Sequence, residues 1–486
     1  MIKNERQYRI TKAQAEKFAQ ALAEFTERSK EDKQMHPLLR QAQIDALQSQ
    51  LDDLHAQLAE YEALRSGRLR VIELESFEEL PRVLIQARIA SGLSQKDLAE
   101  RLGLKEQQIQ RYEATEYASA SFDRLKEIIE ALGIQVQEHV FLPNAQISLT
   151  TLLRRLKEVG LDRDFVAKRL IPPSILGRLQ GDVREEEASK LALRVASFVG
   201  RVFGWKPSSL FDSTPLQVNA AVVGVPRFKK GARTDERHAD VYTVYAHYLA
   251  LLVLEVTSEL PKRPIPTEAS EVRSAVLSTY GSLTLKNVLL YLWSLGIPVL
   301  PLNDPGAFHG ACWRVEGRNV IVLKQQTKSE SRWVFDVLHE SRHTGEAPDQ
   351  NEFAVIEGDE IAQGQQQSKE EQAASRFAGD VLLDGRAEEL AQKCVQAAQG
   401  KLERLKAVVP KIANQENVSV DALANYMAFR LSLQGENWWG AANNLQASST
   451  VPWQTARDFL LERANFASIN EVDRNLLLQA LSNTED

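Results

Sequence analysis

Apolar residues recur at steps of three and four along most of this chain, and that spacing predicts α-helices. Near the start, Thr11 to Gln14 fits a capping box, and an apolar stripe follows it as far as Phe25. After a polar break comes a second stripe with the a/d spacing of a heptad seam, formed by Ile44, Leu47, Leu51, Leu54, Leu58 and Tyr61. Residues 1–75 therefore predict a helical hairpin, whose seam either joins two chains as a coiled coil or packs within one chain.

Two short helical stretches joined by a turn follow within residues 78–142. Ser94 is placed to cap the first helix, and Gly103 marks the turn before the second. The apolar side chains that can fill the angle between the two helices are Leu98, Ala99, Leu102, Leu104 and Ile109. This pattern predicts the geometry of a helix-turn-helix.

The candidate DNA contacts are polar side chains at the helix starts and on the second helix. Amide and guanidinium groups hydrogen-bond adenine or guanine edges in the major groove, whereas groups at a helix start can hold phosphate. The base-reading candidates are Gln107, Gln108 and Arg111, and the candidates at the helix starts are Gln95, Lys96 and Lys105.

The S-Q-x-x-L-A-x-x-L-G pattern that starts at Ser94 and ends in Tyr112-Glu113 resembles the Xre/Cro-like helix-turn-helix domains of bacterial regulators. The resemblance implies binding to an operator in double-stranded DNA. Basic and acidic side chains balance between Leu80 and Ile134, and the whole chain carries a net charge of −7, so a single copy would bind DNA weakly. We therefore expect a homodimer that gains avidity. The alternative is a helix-turn-helix used only for protein contacts.

A third signal lies in the helical stretch of residues 333–343. His339 and His343 are four residues apart, so both imidazole rings leave the same helix face and can bind one Zn²⁺. Glu340 is placed to take a proton from a water at the metal. A third ligand is predicted in the next helix, where Glu371 shares a face with Ala374, because a carboxylate on an apolar face is costly unless it is paired or metal-bound. The alternative is an amphipathic helix with solvated histidines.

The H-E-x-x-H sequence at His339 and the E-x-x-A-x-x-F-A sequence at Glu371, with apolar blocks at 295–300 and 319–323, resemble the ImmA/IrrE family of zinc metallopeptidases over about residues 285–385. The resemblance implies a zincin-like α+β domain, predicted at 220–385. In it, His339, His343 and Glu371 bind Zn²⁺ and Glu340 is the catalytic base. The chain departs from the family pattern at Arg342 and at Asp384-Gly385, and neither departure removes a ligand.

The ImmA/IrrE resemblance also implies a function. Members of that family, including CapP-type antiphage regulatory proteases, cleave helix-turn-helix repressors and so relieve repression of stress or phage-defence operons. The protein substrate here would be such a repressor or the chain itself, and single-stranded DNA is a candidate activator. The alternative is a non-proteolytic transcription factor that uses the peptidase fold as a ligand sensor.

The remaining segments complete a mostly α fold class. Helical patterns predict a connector at 147–215 and a helical extension at 386–486, whereas short β-rich runs predict a small sheet at 297–300, 311–314 and 320–323. The two cysteines are far apart, no apolar leader is visible, and the longest apolar run, Tyr248–Val256, is too short to span a bilayer. These features favour a cytoplasmic protein with no membrane partner.

Several smaller features carry alternative interpretations. His309, predicted on a loop, either polarises a substrate carbonyl or is a surface histidine, and the strand at 310–315 or 319–323 could pair with an extended substrate. The acidic stretch 346–360 is either a lid or a disordered insert. The basic stretch 227–233 either touches phosphate or is a solvated loop, and the Trp438-Trp439 pair either docks on the core or forms a protein-binding patch.

Overall fold

The computed structural model describes residues 1–31, 37–66, 72, 77–136, 147–172, 175, 185–218, 236–304, 308–358, 369–446 and 451–482. It is mostly helical with one small mixed sheet, as the sequence predicts. The chain forms two compact units, of which the first comprises Met1–Asn144 with Phe466–Arg474 and the second Ala145–Asn465 with Asn475–Asp486. The predicted hairpin and helix-turn-helix segments share the first unit. The connector and the peptidase-like segment belong to the second, and the domain boundaries predicted inside each unit stay predictions.

The first unit is all-α. Its helices are α1 (Glu5–Glu31), α2 (Pro37–Arg65), α3 (Leu80–Ala90), α4 (Gln95–Arg101), α5 (Glu106–Ala114) and α6 (Phe122–Leu132). The predicted capping box at Thr11 is wrong, because α1 already begins at Glu5. Helices α1 and α2 pack on each other, and the seam residues Leu51, Leu58 and Tyr61 are buried within the unit. This burial supports the intrachain interpretation of the seam.

Helices α3 to α6 pack around apolar side chains. Leu84, Leu98, Ile109 and Ile128, one from each helix, are fully buried in one cluster that also includes seam residues of the hairpin. The predicted cap at Ser94 is confirmed, since its hydroxyl accepts a hydrogen bond from the Asp97 backbone N–H at 3.1 Å and the Asp97 carboxylate accepts one from the Ser94 N–H at 2.8 Å.

The second unit surrounds the sheet with helices. They are α7 (Leu149–Glu158), α8 (Arg163–Phe165, continued by a π-helical turn Val166–Leu170), α9 (Glu185–Phe203), α10 (Glu236–Val256), α11 (Ala269–Tyr280), α12 (Leu285–Leu295), α13 (Glu330–His343), α14 (Lys369–Leu383), α15 (Ala387–Ala397), α16 (Leu402–Gln415), α17 (Val420–Ser432), α18 (Trp439–Asn443) and α19 (Pro452–Arg463). A last helix, Glu471–Ala480, belongs to the first unit up to Arg474 and to the second from Asn475. The basic stretch 227–233 lies outside the described residues.

The sheet has strands β1 (Val299–Leu302), β2 (Phe308–Val315), β3 (Arg318–Lys324) and β4 (Phe353–Gly358) in the order β1-β3-β2-β4. Strand β1 runs parallel to β3, whereas β2 is antiparallel to both β3 and β4. The three predicted strands are present with shifted ends. The interpretation of 346–360 as a lid or disordered insert is wrong for residues 353–358, because these form β4 and pair with β2 over most of its length.

Helix α10 is long and apolar enough, by length and composition alone, to cross a membrane. The predicted apolar run was shorter because it counted only the last part of the helix. Val241, Tyr245 and Leu249 are fully buried, and α10 packs against β2 and β3. This burial is what the core helix of a globular unit shows.

The helix that carries His339 and His343, α13, lies in the main core of the second unit. Trp333, Val337 and Leu338 are buried in one cluster with residues of α12, α14 and α17. Trp438 is buried in the same cluster, and the guanidinium of Arg332 stacks over the Trp439 ring at 3.7 Å. The tryptophan pair therefore docks on the core and does not form an exposed patch.

Candidate metal centre and nucleic-acid interface

Helix α13 places both histidines on its buried face. The helix begins at the cap residue Ser329, whose hydroxyl accepts from the Arg332 N–H at 3.1 Å. Its apolar residues face the core, which fixes the rotation of the helix about its axis. His339 and His343 are consequently buried, with their Nε2 atoms 3.2 Å apart.

Glu371 of α14 completes a cluster of three potential ligands. Its Oε2 lies 3.4 Å from the Nε2 of His339 and 3.7 Å from the Nε2 of His343. Tetrahedral Zn²⁺ with bonds of about 2.0–2.2 Å separates its ligand atoms by about 3.3–3.6 Å. The three side chains therefore fit one tetrahedral ion. Their potential ligand atoms all lie within 4.8 Å of one another, and among the described residues these three form the one such group that could hold a metal.

Each histidine has a second contact that orients its ring. The Nδ1 of His339 lies 3.0 Å from the Ser375 hydroxyl, and the Nδ1 of His343 lies 3.1 Å from a carboxylate oxygen of Glu346. Such contacts direct the Nε2 atoms toward a shared metal position, and the Glu346 carboxylate, which accepts, favours the His343 tautomer that carries its proton on Nδ1. Ser375 lies one helical turn after Glu371, a spacing that could have suggested it from the sequence, whereas no local pattern marks Glu346.

The two departures from the ImmA/IrrE pattern lie outside this cluster. Arg342 is partly exposed on the flank of α13, and Asp384 pairs with Arg273 at 2.9 Å just after α14 ends. Neither side chain belongs to the group that could hold a metal.

Zinc affinity should increase with pH. Burial alone would lower the pKa of His343, but its hydrogen bonds to Glu346 and Glu371 outweigh that effect and raise the pKa to about 9. The metal-free ring is then protonated at neutral pH, and Zn²⁺ must displace that proton. We expect the apparent affinity to increase by up to about tenfold per pH unit from about pH 7 to 8.5, measured by competition with a chelator. Glu346→Gln should flatten this dependence, and an affinity independent of pH in the parent would contradict the assignment.

Glu340 lies beside the histidines and touches the sheet. It is 1% exposed. A Cβ atom built on Gly310 of β2 would lie 1.9 Å from Glu340 Oε1, so the strand backbone approaches the carboxylate as closely as a residue without a side chain allows. The sequence marked Glu340 but not Gly310, because the contact joins residues 30 positions apart.

Gly310→Ala should displace the Glu340 carboxylate. If Glu340 is the catalytic base that the ImmA/IrrE resemblance implies, peptide cleavage should fall by about 100-fold, because misplacing such a group by about 1 Å has effects of that size, while zinc affinity should change little. The matched control is Gly440→Ala on α18, where an added Cβ meets no atom within 4 Å. Both variants are compared by peptide cleavage and by zinc titration, and undiminished cleavage in Gly310→Ala would show that this contact does not set the Glu340 position.

Two predictions about the sheet need correction. His309 lies on strand β2 next to a register shift, not on a loop, and its side chain is exposed. The predicted substrate-pairing strands at 310–315 and 319–323 are wrong, because β2 is hydrogen-bonded to β3 and β4 and β3 is hydrogen-bonded to β1 and β2. In the described sheet the outer strands are β1 and β4, and β4 places Glu357 opposite Gly310.

The helix-turn-helix presents only part of the predicted DNA contacts to solvent. Lys96, Lys105, Gln107 and Arg111 are exposed. Gln108 is partly buried, and its side-chain oxygen accepts from the Lys105 N–H at 3.1 Å, which caps α5. The exposed face of α5 thus offers one amide and one guanidinium to a base edge.

Gln95, a predicted DNA contact, hydrogen-bonds within the protein instead of facing solvent. It is buried, and its amide donates to the Glu113 carboxylate at 2.7 Å. The same carboxylate, on α5, receives two hydrogen bonds from Arg88 of α3, at 2.5 and 2.8 Å, and both charged side chains are buried. This buried pair fixes the end of α5 against α3 and α4. The sequence did not reveal it, because nothing local shows which Arg faces Glu113.

One part of the chain matches a known protein family. Residues 84–139 match a family described as Helix-turn-helix, inside the predicted segment 78–142. No curated protein and no solved structure matches the chain. The chain therefore carries a helix-turn-helix of the kind found in DNA-binding regulators, and the match ends well before His339, His343 and Glu371.

Proposed function

We propose that this chain is a DNA-binding transcriptional repressor joined to a zinc-dependent endopeptidase, acting in the cytoplasm as a homodimer. The observation that carries the proposal is the convergence of His339, His343 and Glu371 on one point, with Glu340 buried next to them on α13. Two imidazoles and one carboxylate are a donor set of catalytic zinc sites, which keep a fourth position open.

In this proposal the residues of the site have three roles: metal ligands, groups that position those ligands, and a general base. A bound Zn²⁺ supplies Lewis acidity at this position. His339, His343 and Glu371 would hold it, while Ser375 and Glu346 keep the two imidazole rings in place. Glu340 accepts the proton of the attacking water and returns it to the leaving amine. Its place beside Gly310 keeps the carboxylate near the sheet, where a substrate would lie.

The substrate we propose is an extended segment of a helix-turn-helix repressor, either a partner protein or another copy of the chain. Strand β4 is an outer strand of the described sheet, and its register with β2 brings Glu357 opposite Gly310. An extended peptide can add to such an edge through main-chain hydrogen bonds. Cutting the repressor would relieve repression of a stress- or phage-defence operon, with single-stranded DNA as a candidate activator.

The test is a cleavage assay on the purified full-length chain. The zinc-loaded protein is incubated with and without single-stranded DNA, alone and with a helix-turn-helix regulator encoded beside it, and fragments are identified by intact mass spectrometry. We expect discrete fragments that disappear when zinc is removed. If no fragment forms under any condition although zinc is bound, the site serves as a ligand sensor and the proposed peptidase is wrong.

Arg111→Ala and Gln107→Ala should each weaken binding to a duplex selected from a random library. Both side chains are exposed on α5. Loss of a base-edge contact costs about 1–3 kcal/mol and relaxes specificity at one position. Lys126→Ala, which removes an exposed charge from α6, is the control and should lower affinity without changing specificity. Equal affinity of the Arg111 variant and the parent in a fluorescence anisotropy titration would contradict this interface.

A further inference from the structure

The turn that follows α13 is held by one buried guanidinium. Arg314, on β2, is 4% exposed, and each of its five N–H groups has an acceptor. The acceptors are the Asn319 side-chain oxygen at 2.9 Å and the carbonyl oxygens of Thr344 at 2.7 Å, Glu346 at 2.8 Å, Ala347 at 2.5 Å and Gln350 at 3.1 Å. One side chain therefore binds four carbonyl groups of a seven-residue stretch.

The first of these carbonyl groups lies at a helix C-terminus, where a cation is stabilising. Thr344 is the C-cap of α13 and directly follows His343. Carbonyl groups at a helix C-terminus lack intrahelical partners and carry partial negative charge, so a guanidinium there is stabilising. Ala347 has a φ of +44°, a left-handed conformation that costs a non-glycine residue about 1–2 kcal/mol. The hydrogen bond from Arg314 to its carbonyl helps to hold this conformation.

Glu346 connects the turn to the metal-binding cluster. Its backbone carbonyl accepts from Arg314, and its side-chain carboxylate lies 3.1 Å from His343 Nδ1. The position of the turn thus sets the position of the carboxylate, which in turn sets the plane of the His343 ring. With Nδ1 held in this way, Nε2 points toward Glu371.

We infer that Arg314 is a positioning residue of the metal centre, acting on His343 through Glu346; this inference rests on the proposed function. Arg314 and Gly310 are four residues apart on β2, so they lie on the same face of the strand. One strand therefore fixes both sides of the site, Glu340 through Gly310 and His343 through Arg314. Lysine cannot replace Arg314, because its three donors radiate from one atom and cannot span these acceptors.

The experiment measures the zinc affinity of the full-length chain by chelator competition, together with the visible spectrum of the Co²⁺ form. At about pH 9, where a proton on His343 competes little with the metal, we expect Arg314→Lys and Glu346→Gln each to weaken zinc binding by about 10–100-fold and to change the Co²⁺ spectrum. The double variant should be no weaker than the weaker single variant, because both changes interrupt the same path to His343.

The matched control is Arg318→Lys on β3. Arg318 also donates to backbone carbonyl groups at a helix end, that of Leu254 in the last turn of α10 and that of Thr257 just after it, but not in the turn that carries Glu346. We expect it to lower thermal stability without changing zinc affinity. Should Arg314→Lys fail to fold, Asn319→Ala removes the acceptor of one Arg314 N–H and should weaken zinc binding a few-fold in the same direction.

The outcomes separate the inference from the proposed function. Parent affinity in Arg314→Lys, parent affinity in Asn319→Ala, or effects of Arg314→Lys and Glu346→Gln that multiply in the double variant would each overturn the positioning role. A parent chain that binds neither Zn²⁺ nor Co²⁺ would overturn the proposed function, and the positioning role with it.

Discussion

Glu340→Gln should slow peptide cleavage by at least about 100-fold while zinc stays bound. The glutamine amide has almost the size of the carboxylate, so it fits the close approach of Gly310, but it cannot accept the proton of the attacking water. Removing a general base costs about 10²- to 10⁴-fold in rate. The three proposed ligands are untouched, and zinc affinity should remain within a few-fold of the parent. Fragment yield over time, measured by mass spectrometry, gives the rate.

Asp336→Asn is the matched control for this prediction. Asp336 lies one turn earlier on α13, and its carboxylate is bound by Arg332 at 2.9 Å and by the amide of Gln325 at 2.8 Å. Asp336→Asn also replaces a carboxylate by an amide on the same helix. Asp336 does not belong to the group of side chains that could hold a metal. The cleavage rate of Asp336→Asn should match the parent. A Glu340→Gln protein that cleaves as fast as Asp336→Asn would remove Glu340 from the mechanism.

Glu113→Ala should destabilise the first unit by about 3–5 kcal/mol. The change leaves the guanidinium of Arg88 buried without its counter-charge, which costs far more than the loss of an exposed ion pair. It also removes the acceptor that the Gln95 amide uses. Because α5 would lose its fixed position, sequence-specific DNA binding should be lost at temperatures at which the parent still binds.

The control is Glu60→Ala, which breaks the partly exposed pair with Arg82 in the same unit and should cost less than about 1 kcal/mol. Unfolding by urea is followed by far-UV circular dichroism. All tryptophan residues belong to the second unit, so tryptophan fluorescence provides a separate record of that unit. If Glu113→Ala and Glu60→Ala unfold at the same urea concentration, the buried pair does not contribute the stability assigned to it.

The spacing of residues along the chain predicted the helices and which side chains share a helix face. Helical periodicity located α2, α5 and α13, and the four-residue step from His339 to His343 placed both rings on one helix face. Glu371 was reached by another route, since a carboxylate on an apolar face requires a partner. The structure brings its Oε2 within 3.7 Å of both imidazole Nε2 atoms.

Features that depend on long-range pairing were not predictable. The segment 353–358 is part of an acidic stretch and becomes a strand only because β2 offers it a partner. The sequence does not show which strands form the edges of the sheet, because the order β1-β3-β2-β4 does not follow the chain. The prediction that β2 or β3 pairs with a substrate was therefore wrong. Gln95 and Gln108 have the residue type of a DNA contact, yet hydrogen bonds to Glu113 and to the Lys105 backbone engage them within the fold.

The zinc content of the full-length chain tests the central claim most directly. The metal-free protein is loaded with Zn²⁺, dialysed against a weak chelator and analysed for metal, in parallel with His339→Ala and Glu371→Ala. We expect about one zinc ion per parent chain, because His339, His343 and Glu371 form one group that could hold a metal, and almost none in either variant. A parent that retains no zinc, or variants that retain as much as the parent, would contradict the account.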